Sequence, residues 1–348
     1  MIGTSRRKFF AGCNCCATSF TATGADLGRR SFLLGGAAAF GAAATTIAAP
    51  SVRAQAQPPA KTRIDVHHHM VPPAHAEFLA KKNSPAIKWS VQMSLDDMDR
   101  SGIQTAMLSQ IQPGTWFGDA EESRKMSRVI NEFGAKTVQD HPGRFGLFAT
   151  ITPLDVEGSL KEIEYAFDTL KCDGAFMWTN YGDIWVGDRS FDPVYEELNR
   201  RKATVFVHVR TANCCGNLKD SLGDGTVEWQ TDTTRAIGNT IFGGAQMKFP
   251  NINFIWPHGG GTMPYLVRRF IGVGEQPKNK ANVTPDGFLA AARKFYYDCA
   301  QQMLKPQLYP LKEVVTAERM MFGTDAPYEY AVDVMGEIAK SEIGRAHV

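Results

Sequence analysis

The sequence predicts an α/β fold of the (β/α)8 TIM barrel class, on three observations. Apolar, β-rich runs recur eight times after residue 62. Helical patterns separate them, so that strand and helix alternate. The runs are near-continuously apolar, as in a parallel sheet covered by helices, rather than alternating. Eight such units in roughly 290 residues describe a barrel. A doubly wound open sheet is the alternative, but no Gly-rich phosphate turn follows the first run.

The first run, RIDVHHH (63–69), leads into VPP, a turn. Successive side chains of a strand alternate faces, so His67 and His69 share one face and His68 points the other way. IQTAMLSQI (103–111) is the second strand, after the helical pattern SLDDMDRSG (94–102). A long helix over 121–142 leads to RFGLFATIT (144–152). The next helix, 156–171, carries Leu160, Ile163, Ala166, Phe167 and Leu170 on one stripe. DGAFMW (173–178), ATVFVHV (203–209), NINFIWPHG (251–259), FYYDCA (295–300) and RMMFGTD (319–325) complete the set. Helical patterns at 191–202, 233–250, 263–271 and 307–318 fall between them.

The N-terminal 56 residues read as an export signal and not as part of the barrel. Arg29 and Arg30 precede an apolar small-residue stretch, which ends in Ala54-Gln55-Ala56. That is a twin-arginine pattern with an A-x-A cleavage site, implying the twin-arginine export machinery as partner and a periplasmic location. The domain boundaries expected are therefore 1–56 and 57–348. The signal carries the basic charge: the whole chain is +2, and without it about −3 remains. This leaves no basic stripe for nucleic acid. Four cysteines remain after the signal, Cys172, Cys214, Cys215 and Cys299, which is no disulfide framework for so large a domain. At the other end, VDVMGEIAK begins a last helix and SEIGRAHV follows. We expect 342–348 to be an artefact, His347 not to be a ligand, and the barrel to be truncated in its last helix.

Active sites of such barrels gather at the C-terminal ends of the strands. Strand one ends in His67 and His69, strand five in His208, strand six in His258 and strand eight in Asp325. Any one of these alone has an ordinary explanation, such as a core histidine or a turn aspartate. Four of the eight histidines together with a carboxylate at one mouth point to a divalent metal, Zn²⁺ first and Mn²⁺ second. His141 is placed in a loop and His75 on a helix surface. Trp116, Phe117, Trp178, Tyr181 and Trp185 fall in the loops after strands two and four, where they could sandwich an aromatic ring.

With these residues assembled, the chain resembles the amidohydrolase-related metal-dependent decarboxylases. Aminocarboxymuconate-semialdehyde and 6-methylsalicylate decarboxylases belong to that group. The carriers are DVHHHMVPP, SLDDMDRSGIQTAMLS, FVHV, FPNINFIWPHGGGTMPYLVRR and MFGTDAPY, within about 61–335. The resemblance implies metal ligands at His67, His69, His208 and Asp325, and a catalytic His258. It implies that Arg269 binds the substrate carboxylate, in some members across a homodimer interface. Trp178 is the aromatic we assign to the substrate. The chain departs from the pattern at MSLDDMD, where Ser94 and Asp96 stand in place of a second carboxylate clamp. Val209 follows the strand-five histidine instead of Pro. Trp178 and Thr179 end strand four without a lysine, so one metal is expected rather than two.

The function expected is decarboxylation of a small aromatic or unsaturated hydroxy or keto acid. Asp325 would shuttle the proton that replaces CO₂, with His258 assisting. Hydrolysis of a lactone, amide or ester by the same residues is one alternative. An exported binding protein without turnover is another; it would not need His258 and Asp325 as an acid–base pair.

Overall fold

The computed structural model describes residues 63–215 and 222–340. The expectations for 1–56 and 342–348 lie outside the described residues, or, for the last, within 341–348, which are likewise not described. Eight barrel strands appear in the order read from the sequence. They are β1 Arg63–Met70, β2 Ile103–Gln110, β3 Phe145–Thr150, β4 Gly174–Trp178, β5 Thr204–His208, β6 Asn253–Trp256, β7 Tyr296–Asp298 and β8 Met320–Met321. Each pairs in parallel with the next.

The ends of this sheet meet. Val66 N donates to Phe322 O at 3.0 Å, Asp325 N to His67 O at 2.8 Å and His69 N to Ala326 O at 2.7 Å. Asp65, fully buried, reinforces the seam. Its carboxylate accepts from His67 N, His68 Nδ1, Thr324 N and Thr324 Oγ1 at 2.7–3.1 Å. A buried carboxylate is tolerated because its lone pairs are filled by donors. The same network fixes the direction of His68: its Nε2 lies 2.7 Å from Ser94 Oγ, to which Trp89 Nε1 also donates.

Inside the barrel, Phe148, Phe176 and Phe206 pack ring to ring. Large apolar side chains fill the interior, so the strands enclose a core rather than a pore. Two elements differ from the sequence reading. The helix Pro73–Lys81 carries His75 into the structure rather than on its surface: the imidazole is fully buried, its Nε2 is 3.2 Å from Gly114 O and its ring stacks on Phe78. The loop after β2 meets that helix through Gly114 and Phe117. A short antiparallel hairpin, Asn180–Tyr181 with Ile184–Trp185, follows β4 where only a loop was expected.

Candidate metal centre

The C-terminal ends of β1, β5 and β8 bring four donor atoms together. His67 Nε2 and His69 Nε2 are 3.2 Å apart, and His69 Nε2 is 3.2 Å from His208 Nε2. Asp325 Oδ1 is 3.1 Å from both His67 and His69 Nε2 and 3.7 Å from His208 Nε2. All four side chains are buried. Ligands about 2.0–2.1 Å from a tetrahedral Zn²⁺ stand about 3.3 Å from one another, which is this spacing.

The remaining ring nitrogens test whether an ion fits. His69 Nδ1 is 2.8 Å from Gln110 O, an atom that only accepts, so Nδ1 carries the proton. His67 Nδ1 faces Asp298 Oδ2 at 2.9 Å in the same sense. The Nε2 lone pairs of both rings therefore point at each other and at a carboxylate oxygen. A cation reconciles them, and the imidazole–carboxylate set is that of a divalent metal held by outer hydrogen bonds. The electrostatics agree. Burial would lower the pKa of His67, but Asp298 and Asp325 together raise it to about 10. Burial lowers His69, and burial with the neighbouring His69 holds His208 well below the usual imidazole range. Burial would raise Asp325, yet the surrounding imidazoles, His67 foremost, hold it well below the carboxylate range. The free chain thus favours one proton on His67 beside neutral rings and a carboxylate, and a metal ion would take the place of that proton.

His258 stands beside this set. Together with His67, His208 and Asp325 it offers donor atoms within 4.8 Å of one another. Its ring makes a different contact, however: Nε2 meets Asp325 Oδ2, the second oxygen, at 3.3 Å. Gln301 Nε2 donates to that same oxygen at 2.7 Å. His258, Gln301 and Asp325 all have left-handed backbone, with φ of 51°, 55° and 68°. Such strain in non-glycine residues gathers at functional sites. The glycines after His258 do not lie against the donor set. Gly261 lies against the Gln230 carbonyl, where a Cβ would clash. The glycine that the metal centre requires is Gly323, whose added Cβ would lie 2.8 Å from His67 Cβ.

Two polar residues here were not picked out from the sequence. Asp298, fully buried at the end of β7, accepts from His67 Nδ1 with one oxygen and from His258 N and Ala300 N with the other. Its signal was present: a carboxylate closing an otherwise apolar strand needs a buried partner. Gln301 sits three residues past that strand and carries no such signal.

Trp178 is 1% exposed and packs edge-on against Phe176 and His208, so its indole supports the His208 ring. Arg269 is not brought to the centre. It is exposed on the helix Met263–Gly274, with no hydrogen bond or ion pair to any described residue. Ser94 is buried on His68, while Asp96 is exposed. We predict that His67→Ala and His69→Ala lose bound metal while His68→Ala keeps it, by metal analysis of the purified variants. Metal loss confined to His68→Ala would reverse the face assignment.

The amidohydrolase family model matches residues 64–330. Decarboxylase macB of Penicillium terrestre is 34% identical over 288 residues, covering 76% of this chain and 84% of that protein. The 6-methylsalicylic acid decarboxylase of Penicillium expansum is 30% identical over 274 residues, covering 76% and 85%. Among solved structures, 5-carboxyvanillate decarboxylase of Novosphingobium aromaticivorans, complexed with manganese and 4-hydroxy-3-methoxy-5-nitrobenzoic acid, superposes with a TM-score of 0.70 at 18% identity. That match covers 81% of this chain and 91% of the other. By its eight-stranded barrel, its family match and these relatives, the chain belongs to the amidohydrolase family.

Proposed function

We propose that this protein is a metal-dependent carboxy-lyase that removes CO₂ from a small aromatic hydroxy acid. The observation that carries the reading is the split role of Asp325: Oδ1 faces three imidazole nitrogens, and Oδ2 faces His258 and Gln301. His67, His69, His208 and Asp325 Oδ1 would hold one divalent ion. The donor set suits Zn²⁺, and the manganese in the carboxyvanillate enzyme supports Mn²⁺ as the second choice. Such an ion would orient a chelating hydroxy acid and stabilise the negative charge that develops on it.

The chain supplies the proton. When the bond between ring and carboxyl carbon breaks, its electron pair stays on the ring carbon, which must be protonated. His258 Nε2 and Asp325 Oδ2 form the path that delivers the proton there. Gln301 holds the Oδ2 end of that path in place. The exposed position of Arg269 supports a role at a homodimer interface, reaching a neighbouring subunit's substrate rather than its own. The twin-arginine pattern supports export and a periplasmic reaction.

The test is metal analysis with a CO₂-release screen of hydroxybenzoates, 6-methylsalicylate included, on purified protein loaded with Zn²⁺ or Mn²⁺. We expect one metal per chain and equal amounts of CO₂ and phenol. Metal-loaded protein that opens lactones and releases no CO₂ would overturn the reading in favour of hydrolysis.

A further inference from the structure

Arg210 lies two residues past His208, on the loop that leaves β5. Its backbone is pinned at the barrel mouth. Its N–H donates to Thr179 Oγ1 at 3.0 Å, and its carbonyl accepts from Asn180 Nδ2. Gln112 Nε2, from the loop after β2, donates to the preceding carbonyl of Val209 at 2.6 Å. The segments after β2 and β4 thus both hold this short stretch.

The guanidinium it carries is largely buried and has no anion. Nη1 is buried without a hydrogen-bond partner, and no described carboxylate forms an ion pair with the group. Burial lowers its pKa, with Tyr181 as its one charged or titratable counterweight. The nearby buried acid, Asp232, is committed elsewhere: it accepts from Ala212 N at 2.8 Å and interacts with Arg235. A guanidinium does not escape burial by losing its proton, so a desolvated Arg normally carries its anion with it. Tyr181 hydrogen-bonds to the N–H of Trp178, and Trp178 packs on the ligand-set histidine His208. The segment that carries this unpaired cation therefore leaves β5 directly after His208 of the ligand set, in the same chain.

We propose that Arg210 receives the carboxylate of the substrate from within its own subunit, and so selects anionic aromatic acids over neutral analogues. This rests on the carboxy-lyase reading for the identity of the ligand. It does not depend on turnover. A planar fork pairs with a carboxylate through two hydrogen bonds, which neither a lysine nor a neutral side chain reproduces.

The experiment measures binding of salicylate and of its neutral counterpart salicylamide to metal-loaded protein by calorimetry. The parent should prefer salicylate by at least tenfold. Arg210→Met should weaken salicylate by roughly 10- to 100-fold, the range for losing a charged hydrogen bond, and leave salicylamide within about twofold. Because the variant removes an unpaired buried cation, it should melt no lower than the parent. Arg210→Lys keeps the charge without the fork and should lose about fivefold for salicylate, which decides the question if the Met variant does not fold. Three results overturn the proposal: no preference in the parent, a preference unchanged in both Arg210 variants, or one abolished by Arg269→Met alone. CO₂ release is followed on the same parent sample. An Arg210-dependent preference without CO₂ keeps the proposal and removes the carboxy-lyase reading.

Discussion

His258→Asn will keep near-parental metal content and lose about 10²- to 10⁴-fold in kcat, the usual contribution of a positioned acid–base group. His258 is close enough to the donor set to be mistaken for a ligand. Its ring contact argues otherwise, because Nε2 approaches the outer oxygen of Asp325 and not the oxygen shared with the other three histidines. Asparagine keeps a polar group of modest size while removing the titrating ring. Metal content and turnover must come from one preparation, since a metal loss would imitate a chemical defect. Metal loss would make His258 a fifth ligand. Full turnover with metal retained would remove it from the reaction.

The second large effect concerns the fold. Asp65→Asn should cost about 3 kcal/mol of stability, because an amide nitrogen replaces one acceptor among donors that remain buried. In a domain of this size that corresponds to a fall of roughly 6–12 °C in melting temperature. The carboxylate gathers His67 N, His68 Nδ1 and both donors of Thr324, and so ties β1 to the segment following β8. Metal affinity should fall with it, since His67 and Asp325 flank the same seam. Differential scanning calorimetry of the metal-loaded variant checks the first part and metal titration the second. An unchanged melting temperature would mean that the inter-strand bonds close the barrel without help.

The barrel was legible because each strand is a dense apolar run bounded by turn residues. Even β8, only Met320–Met321, announced itself through its surroundings in RMMFGTD. The hairpin after β4 was not, because its strands of two residues each are too short to show a period. The convergence of His67, His69, His208 and Asp325 was legible because strand ends of a barrel meet at one mouth whatever their separation in sequence. Arg269 stands outside that reasoning, because its role is implied by the resemblance alone. It lies beyond the strand end, on a helix that carries it to the surface. Asp298 could have been found by asking which charge an apolar strand can tolerate, and His75 by asking what covers its helix. Gln301 could not, because its place depends on a local backbone turn that its neighbours in sequence do not encode.

That turn has a further consequence. His258, Gln301 and Asp325 each occupy a backbone region that costs a non-glycine residue about 1–3 kcal/mol. Glycine at any of the three would relax the chain. At His258 and Asp325 that relief would be outweighed by the cavity and the unpaired partners left behind, so a screen that rewards thermal resistance alone would favour glycine at Gln301 and release its hold on Asp325 Oδ2. Heat tolerance and turnover should therefore be antagonistic traits at Gln301, where the strained residue lies outside the ligand set.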